Sequence, residues 1–183
     1  MNPDLQPTLE GETLLLRPLR PDDFDALYAV ARDPEIWALH PAHDRWREPV
    51  FRCFFDDALA GRGALVVESK ASGAVIGSSR YSFARAEPGE VEIGWTFLAR
   101  SHWGGAANRE MKRLMLQHAF RVADTAIFLV GETNWRSRRA MEKIGGRLID
   151  RTFDASDMGQ PLHVIYAITP QAFASGPLMR GEG

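Results

Sequence analysis

The order of hydrophobic and polar positions along the chain predicts an α/β domain with a mixed sheet, in the order of one strand, two helices, three strands, a crossover helix, a strand, a helix and two closing strands. Apolar runs with strand character lie at 13–17, 64–68, 75–81, 90–97, 125–130, 147–153 and 162–169. Helical signals lie at about 20–32, 48–59, 105–123 and 134–144. The crossover helix between the fourth and fifth strands predicts that these two run parallel, and the short links elsewhere predict antiparallel pairs.

Two of these elements have face assignments that bear on function. In the strand at 90–97, alternation predicts one face with Val91, Ile93, Trp95 and Phe97 and the other with Glu92, Gly94 and Thr96. In the helix at 105–123, an apolar stripe of Ala107, Met111, Leu114, Met115, His118 and Val122 lies opposite Arg109, Lys112 and Arg113. Lys112 therefore falls on the polar side of its helix.

The composition indicates one folded domain that needs no covalent support. The chain has 183 residues, of which 45% are hydrophobic and 25% are charged, as in ordinary globular proteins. A chain of this length buries about 70% of its unfolded surface, so a core forms without disulfides. The single cysteine, Cys53, excludes an internal disulfide framework. We expect one domain over 8–170, with flexible termini at 1–7 and 171–183 and a frayed tail from Ser175.

The charge balance narrows the classes of partner. With 22 basic and 24 acidic residues, the net charge is -2, so the chain lacks the broad positive field of a generic nucleic-acid or membrane-surface binder. The first residues do not form a secretory signal, and no apolar run approaches the roughly 20 residues that span a bilayer. We therefore expect a cytoplasmic protein without a membrane partner, in which any anion site is local.

One strand leads through small residues directly into the longest predicted helix. The segment from Phe97 to Asn108 contains Gly104 and Gly105 just before the helix begins. Small residues let an anion approach the backbone, and the free N–H groups and the dipole of the helix N-terminus attract it. The alternative is a simple tight turn. The sequence contains neither a P-loop nor a G-x-G-x-x-G dinucleotide motif.

A second strand also ends at a polar helix start. Asn134 and Ser137 follow the strand at 125–130, and either helix capping or ligand contact accounts for Asn134. If the two strands that precede these helices are adjacent and parallel, both helix N-termini lie at one sheet edge. Open α/β sheets bind ligands at such edges.

These motifs together resemble the acetyl-CoA-dependent N-acetyltransferases of the GNAT superfamily, in particular the branch similar to RimJ and RimL. The resemblance covers about Leu14 to Thr169, and its carriers are Leu15-Leu16-Arg17-Pro18-Leu19, Glu92-Ile93-Gly94-Trp95, Trp103-Gly104-Gly105-Ala106, Asn134-x-x-Ser137 and Glu142-Lys143-Ile144-Gly145. Ser101 stands where the family usually has glutamine or arginine at the start of its pyrophosphate motif. That position is therefore not assigned a ligand contact.

The resemblance implies a fold, a cofactor and a set of binding residues. The fold is a mixed, mostly antiparallel sheet with helices on both faces, in which the fourth and fifth strands form a splayed parallel pair. The acetyl donor is acetyl-CoA. Its pantetheine arm would meet the backbone of Phe97 and Leu98, its pyrophosphate the turn before the helix, and its adenosine 3′-phosphate the arginines at 136, 138 and 139. The implied binding residues are Phe97, Leu98, His102, Trp103, Gly104, Gly105, Ala106, Ala107, Asn108, Asn134, Ser137 and Arg138.

Glu92 is the candidate catalytic residue. Acetyl transfer to an amine requires a neutral amine, and a carboxylate on the central strand beside Gly94 is suited to accept its proton directly or through water. The alternative is a salt-bridged strand glutamate. Many family members place a tyrosine general acid seven residues after the helix-start asparagine, and here that position is Met141. A thiol with a pKa near 8.5 is still a tolerable leaving group without that tyrosine.

The segment from Trp37 to Trp46 is the candidate acceptor loop. His43 and Asp44 within it are suited to an amine that approaches as a cation, while the plainer alternative is that the two tryptophans pack a helix onto the sheet. His40 and His43 do not complete a metal site, because no further ligand cluster accompanies them. We expect no metal.

The sequence thus predicts an N-acetyltransferase that acts on a protein N-terminal amine or on a small amine, by direct attack in a ternary complex. The first alternative is a coenzyme A-binding sensor or scaffold without catalysis. The second is a nucleic-acid-binding domain that uses Arg136, Arg138, Arg139, Lys143 and Arg147, which the net acidity disfavours. A homodimer is compatible with the sequence. The identity of the acceptor is left open between these two kinds of amine.

Overall fold

The structure, a computed structural model, describes residues 4–154 and 162–180. Its strands are β1 (Leu9–Glu10), β2 (Leu14–Pro18), β3 (Ala64–Ser69), β4 (Val75–Ser82), β5 (Glu90–Leu98), β6 (Thr125–Gly131), β7 (Arg147–Phe153) and β8 (His163–Ile168). Its helices are α1 (Phe24–Ala31), α2 (Pro34–Trp37), α3 (Glu48–Ala60), α4 (Ala106–Ala119), α5 (Trp135–Lys143), α6 (Pro170–Ala174) and α7 (Pro177–Arg180). Short 3-10 turns lie at Pro21–Asp23 and Arg100–His102.

The strands form one mixed sheet in the order β1-β2-β3-β4-β5-β6-β8-β7. The pair β5 and β6 is parallel and the other neighbours are antiparallel, which confirms the predicted architecture. The sequence pattern had not predicted β1, so the fourth and fifth predicted strands are β5 and β6. Their pairing runs only from Glu90 with Thr125 to Glu92 with Ile127. Beyond that point the two strands separate, and an opening forms between them.

A β-bulge in β5 changes the direction of its side chains. Gly94 pairs with Arg80 and Phe97 with Ser78, so Trp95 and Thr96 lie opposite the single residue Ser79. Trp95 has a φ of 52°, in the left-handed region that is rare for a bulky residue. The extra residue reverses the alternation beyond it. The predicted single face of Val91, Ile93, Trp95 and Phe97 is therefore wrong, because Phe97 lies on the opposite side of the sheet from Val91 and Ile93.

Helices cover both faces of the sheet, as predicted, and each face has its own core. On one face, α1, α2 and α3 bury aromatic residues against β3 and β5. This aromatic core contains Phe24, Trp37, Phe51, Phe55 and Phe97. On the other face, α4 and α5 pack against the centre of the sheet. Full burial of one such large apolar side chain contributes about 1.5–3 kcal/mol, so these two cores dominate the stability of the fold.

The helix α4 departs from its predicted length and faces. It ends at Ala119 rather than at residue 123, and Val122, placed in the apolar stripe, is 53% exposed. Lys112, placed on the polar side, is only 1% exposed. Its ammonium group finds hydroxyl partners on the underlying strands, which the periodicity of the helix alone does not reveal.

Both ends of the described chain pack more closely than expected for flexible termini. In α7, Leu178 is 6% exposed and belongs to the core beside α4, and the carbonyl of Pro177 accepts a hydrogen bond of 2.9 Å from Arg109. At the other end, the Asp4 carbonyl lies 2.7 Å from His118 Nε2. Residues 1–3 and 181–183 of the two predicted termini lie outside the described residues. In the described part of the chain, no helix has the length and apolar character required to span a membrane.

Candidate active site

The separation of β5 and β6 opens into a cleft of about 1110 Å³. Its walls come from the end of β5, the turn before α4, the first turns of α4 and α5, and α2. Most of the predicted binding residues line it: Phe97, Leu98, His102, Trp103, Gly104, Gly105, Ala106, Asn108, Asn134 and Ser137. The sheet edge that the sequence singled out is therefore the site of this cleft.

The glycine turn offers an open backbone at the start of α4. Gly104 has a φ of 68°, which a side chain disfavours, whereas Gly105 is extended. A Cβ atom added at either glycine would meet no other atom within 4 Å. Gly105 is the N-cap of α4, and no side chain caps the helix there. Free N–H groups and the helix dipole thus face open space, an arrangement that suits a phosphate group.

Asn134 fixes the start of α5 at the opposite wall of the cleft. It is 3% exposed, and its Oδ1 accepts a hydrogen bond of 3.2 Å from the Ser137 N–H, as the capping alternative predicted. The N-termini of α4 and α5 both open onto the cleft, since residues of both first turns line it. Two helix dipoles therefore favour negative charge in the same space.

The arginines of α5 divide into two groups. Arg136 and Arg139 line the cleft. Arg136 donates a hydrogen bond of 2.7 Å to the Ile36 carbonyl and lies 4.3 Å from the centre of the Trp103 ring, so it ties α2 to the glycine turn. Arg138 instead lies outside the cleft lining and contacts the Tyr166 hydroxyl at 3.2 Å and the Glu132 carbonyl at 3.0 Å. The implied contact of Arg138 with the cofactor is not supported by this orientation.

Ala107 also lies away from the cleft lining. It sits in the first turn of α4 and packs against the core on that face of the sheet. Its side chain points away from the cleft, because residues that are adjacent in a helix do not share a face, and its neighbours Ala106 and Asn108 line the cleft. A contact of Ala107 with a ligand in the cleft would thus be limited to its backbone.

Glu92 is buried in an ion pair. It is 0% exposed, and Arg85 Nε donates to its Oε2 at 2.9 Å while Arg85 Nη2 contacts Oε1. A Cβ atom at Gly94 would lie 3.1 Å from Oε1, which places the carboxylate beside Gly94. Burial raises the pKa of Glu92, and the Arg85 charge lowers it less. The ion pair with Arg85 is the one that the alternative interpretation, a salt-bridged strand glutamate, predicts. The general-base role of Glu92 stays a prediction.

Lys112 is a titratable group of the cleft that the sequence pattern did not reveal. Its Nζ donates to Thr96 Oγ1 at 2.7 Å and to Ser79 Oγ at 3.4 Å, and it lies 5.5 Å from the centre of the Phe128 ring. Burial lowers the pKa of Lys112 to about 7. Across 4–154 and 162–180, no carboxylate forms an ion pair with it. Its place in the cleft could have been inferred from its position one helical turn after Asn108, on the helix that starts at the glycine turn.

The position implied for a tyrosine general acid belongs to the same cleft. Met141 is 7% exposed and lines the cleft. Its thioether has no proton to donate. Any proton that the cleft supplies must therefore come from another group.

The candidate acceptor loop has a buried and an exposed half. Trp37 is 2% exposed and donates from Nε1 to the Ala31 carbonyl at 2.7 Å, while Trp46 is 38% exposed. His40 lines the cleft, and burial lowers its pKa to about 3. His43 is exposed at the surface. Among the described residues, no group of three or more histidine, cysteine, aspartate or glutamate side chains forms a metal site.

Comparison with known proteins identifies the family of this fold and cleft. A family model described as "Acetyltransferase (GNAT) domain" matches residues 13–147. The chain belongs to the GNAT acetyltransferase family. Membership implies acetyltransferase activity and is consistent with acetyl-CoA as the acetyl donor. A search among curated proteins finds no match.

Solved structures of this family have the same fold as the chain. A GCN5-related N-acetyltransferase from Brucella melitensis is 22% identical, with a TM-score of 0.76 over 96% of this chain and 83% of that one. RimJ from Mycobacterium smegmatis, solved with CoA-disulfide, is 18% identical, with a TM-score of 0.75 over 98% and 95% of the two chains. AAC(6')-Ib, solved with ribostamycin and coenzyme A, is 20% identical, with a TM-score of 0.70 over 90% and 97%. At these identities the similarity concerns the fold.

Proposed function

We propose that the protein is an N-acetyltransferase that transfers an acetyl group from acetyl-CoA to a primary amine by direct attack in a ternary complex. The observation that carries the proposal is the opening between β5 and β6, onto which two helix N-termini and an open glycine turn converge. The acceptor is a protein N-terminal amine or a small amine. Within the family, we assign the chain to the RimJ/RimL-like branch on the motifs quoted above.

Coenzyme binding is proposed for the residues that line the cleft. The turn at Gly104 and Gly105 and the first turn of α4 hold the pyrophosphate, and the separated end of β5 at Phe97 and Leu98 pairs with the amides of the pantetheine arm. The RimJ and AAC(6')-Ib structures, both solved with coenzyme A species, support this assignment. When bound, acetyl-CoA supplies an activated thioester carbonyl.

Two buried groups are proposed to handle protons during the transfer: Lys112 lines the cleft, whereas Glu92 lies outside its lining. Glu92 is the candidate acceptor of the amine proton, and Lys112 is the group that lines the cleft with a pKa near neutrality. A pKa close to the working pH is the property that general acid–base catalysis requires. The single cysteine, Cys53, is exposed on α3, which supports direct attack over transfer through an enzyme thiol.

The proposal is tested by measuring thiol release from acetyl-CoA in the presence of single amines. The panel contains short peptides with different first residues and a set of small amines, and mass spectrometry of the products identifies the acetylated nitrogen. The function is supported by amine-dependent release that yields an acetamide. It fails if coenzyme A binds and no amine in the panel is acetylated.

A non-catalytic coenzyme A sensor is the second candidate function. The observation that favours it is Met141, which occupies the cleft where many family members have a tyrosine proton donor. A sensor would bind coenzyme A and acetyl-CoA and would release no thiol with any amine. The same assay therefore separates the two functions.

A further inference from the structure

Three arginines and two aromatic rings form a continuous stack next to the cleft. We call this the arginine–aromatic stack, and its members are Arg45, Phe54, Arg80, Trp95 and Arg85. The guanidinium of Arg45 lies 4.5 Å from the centre of the Phe54 ring, and that of Arg80 lies 5.4 Å from the same ring. Arg80 and Arg85 then lie 4.7 Å and 4.6 Å from the Trp95 ring. Two cations thus share each ring.

Only one of these three arginines has a carboxylate partner among the residues that the structure describes. Arg85 is paired with Glu92, whereas neither Arg45 nor Arg80 forms an ion pair. At longer range, Asp44 and Asp57 act on Arg45, and Asp57 and Glu92 act on Arg80. Neither guanidinium therefore has a carboxylate of the described chain in direct contact, and a largely buried cation without such a contact is unfavourable unless an anion pairs with it.

Arg80 shows this most clearly. The residue is 9% exposed, its Nε is buried without a hydrogen-bond partner, and its Nη2 has a contact of 3.4 Å to the Phe54 carbonyl. Burial, together with a nearby guanidinium, lowers the pKa of both Arg45 and Arg80 to about 10, although nearby carboxylates act in the opposite direction. Unsatisfied buried donors of this kind require an explanation, and a bound anion provides one.

The arginine–aromatic stack adjoins the cleft through residues that line it. Trp95 directly precedes Thr96, which lines the cleft on the separated end of β5. Arg45 lies 5.5 Å from the Trp37 ring and 3.4 Å from His40 Nε2, and both of these residues also line the cleft. No member of the stack lines the cleft, whereas the glycine turn and the first turns of α4 and α5 do, so the stack is separate from the proposed coenzyme site.

We propose that Arg45 and Arg80 bind an anionic oxygen group of the acceptor, so that the preferred acceptors are amines that also carry a carboxylate or phosphate. The inference rests on the proposed function and adds the class of acceptor to it. Guanidinium groups pair with carboxylates and phosphates through charge-assisted hydrogen bonds. A contact of the cationic amine with His43 and Asp44 stays a prediction, and the two arginines would hold the negative group of the same acceptor.

The test uses acceptors that differ only in charge. One pair is a free amino acid and its amide, and a second is a peptide that begins with glutamate and the same peptide beginning with glutamine. An aminoalkyl phosphate is the third anionic source. We expect the anionic member of at least one pair to have a KM that is lower by about 10- to 100-fold, the range for hydrogen bonds between charged groups. Neutral members that are used as well as their anionic partners would overturn the inference.

Substitutions of Arg45 and Arg80 test whether these two residues cause the preference for anionic acceptors. Arg45→Met and Arg80→Met should remove most of the KM difference within a pair while the coenzyme-induced thermal shift stays unchanged. Arg47→Met is the matched control, because Arg47 is an exposed neighbour that lies 5.4 Å from the Trp46 ring. If Arg45→Met and Arg80→Met both fold and leave the preference intact, the anion is bound elsewhere.

A binding measurement tests the inference apart from the activity. With coenzyme A saturating, so that the phosphate site at α4 is filled, inorganic phosphate should still raise the melting temperature of the wild type and of Arg47→Met. It should have a smaller effect on Arg45→Met and Arg80→Met. No phosphate shift in the wild type contradicts the anion site, even if no acceptor is found. Failure of acetylation with an intact phosphate shift contradicts the proposed function instead.

Discussion

Lys112 Nζ lies 2.7 Å from Thr96 Oγ1, on the residue that follows the left-handed Trp95 in the β5 bulge. The bulge turns the Thr96 hydroxyl towards α4 and brings it within 2.8 Å of Ser79 Oγ. One local irregularity of the sheet therefore brings two hydroxyls to the ammonium group of a buried lysine that lines the cleft. Charged lysine in such a place is costly, because burial removes its hydration and no carboxylate in the described chain offsets it.

The first prediction concerns the pH dependence of stability. The pKa of Lys112 is about 7 in the folded protein against an ordinary value of 10.5, so the unfolded state binds more protons between these values. The desolvated charge thus destabilises the fold fully below about pH 7, and this destabilisation fades as the pH rises towards 10.5. Lys112→Met should raise the free energy of unfolding by a few kcal/mol at pH 6 and by much less at pH 10.

Urea unfolding at pH 6, 8 and 10 measures this difference. Lys143→Met is the control, since Lys143 is exposed on α5 and its replacement should have a small effect that does not follow this pH trend. An equal change for Lys112→Met at all three pH values would show that the ammonium group is not desolvated. Packing of the methionine alone would then account for the effect.

The parts of the fold and site that the sequence predicts are those fixed by local signals. Periodicity placed β5, β6 and the crossover helix, and the chain connection made β5 and β6 parallel. Gly104, Gly105 and Asn134 carry their own conformational or capping preferences, so their positions at helix starts follow from residue type. These features need no knowledge of distant residues.

The missed features depend on residues that are remote in the chain. The bulge at Trp95 and Thr96 results from the register with Ser78 and Arg80, and it alone inverts the face of Phe97. The burial of Lys112 depends on hydroxyls supplied by Thr96 and Ser79. Likewise, Arg138 turns away from the cleft because Tyr166 on β8 offers it a hydroxyl. Hydrophobic patterning within one element contains none of this information.

The second prediction tests the glycine turn as a coenzyme site. Acetyl-CoA at about 100 times its dissociation constant should stabilise the wild type by roughly 2.7 kcal/mol. Gly105→Val should abolish that stabilisation while largely preserving the fold, because Gly105 has an extended backbone and its Cβ would project into open space. Thermal melts with and without millimolar acetyl-CoA provide the measurement.

A matched control separates backbone strain from blocked binding at the neighbouring glycine. Gly104 and Gly73 both have a φ of 68°, and a Cβ atom added at either would meet open space, but Gly73 lies in the link between β3 and β4. Gly104→Ala and Gly73→Ala should therefore lower stability similarly, and only Gly104→Ala should weaken coenzyme binding. A normal thermal shift with acetyl-CoA in both Gly104→Ala and Gly105→Val would show that the glycine turn is not the coenzyme site.

The third prediction assigns the adenosine 3′-phosphate to one arginine of α5 and not to its neighbour. Arg139 is exposed and lines the cleft, whereas Arg138 is bound to Tyr166 and Glu132. Arg139→Met should weaken coenzyme A binding by about two- to fivefold, as expected for an exposed charge pair. It should have no effect on 3′-dephospho-coenzyme A. Calorimetric titration of both ligands is the measurement, and an equal loss for both would exclude a specific phosphate contact.

Arg138→Met serves as the comparison for that experiment. We expect a small loss of stability, since the Tyr166 contact disappears, and unchanged affinity for both ligands. A selective loss of coenzyme A affinity in this variant would restore the contact that the family resemblance implied.

The last prediction distinguishes the two interpretations of Glu92. If Glu92 accepts the amine proton, Glu92→Gln should lower turnover by about 100- to 10,000-fold and leave the coenzyme-induced thermal shift intact. Part of the activity should return at high pH, where the amine loses its proton without help. Arg85→Met provides the complementary test, because Arg85 lowers the pKa of Glu92 and its removal should raise that pKa. The acidic limb of the turnover profile should then move to higher pH, while the maximum rate is largely retained. Equal fractional losses at every pH in both variants, together with lowered melting temperatures, would instead show that the ion pair only holds β5 in place.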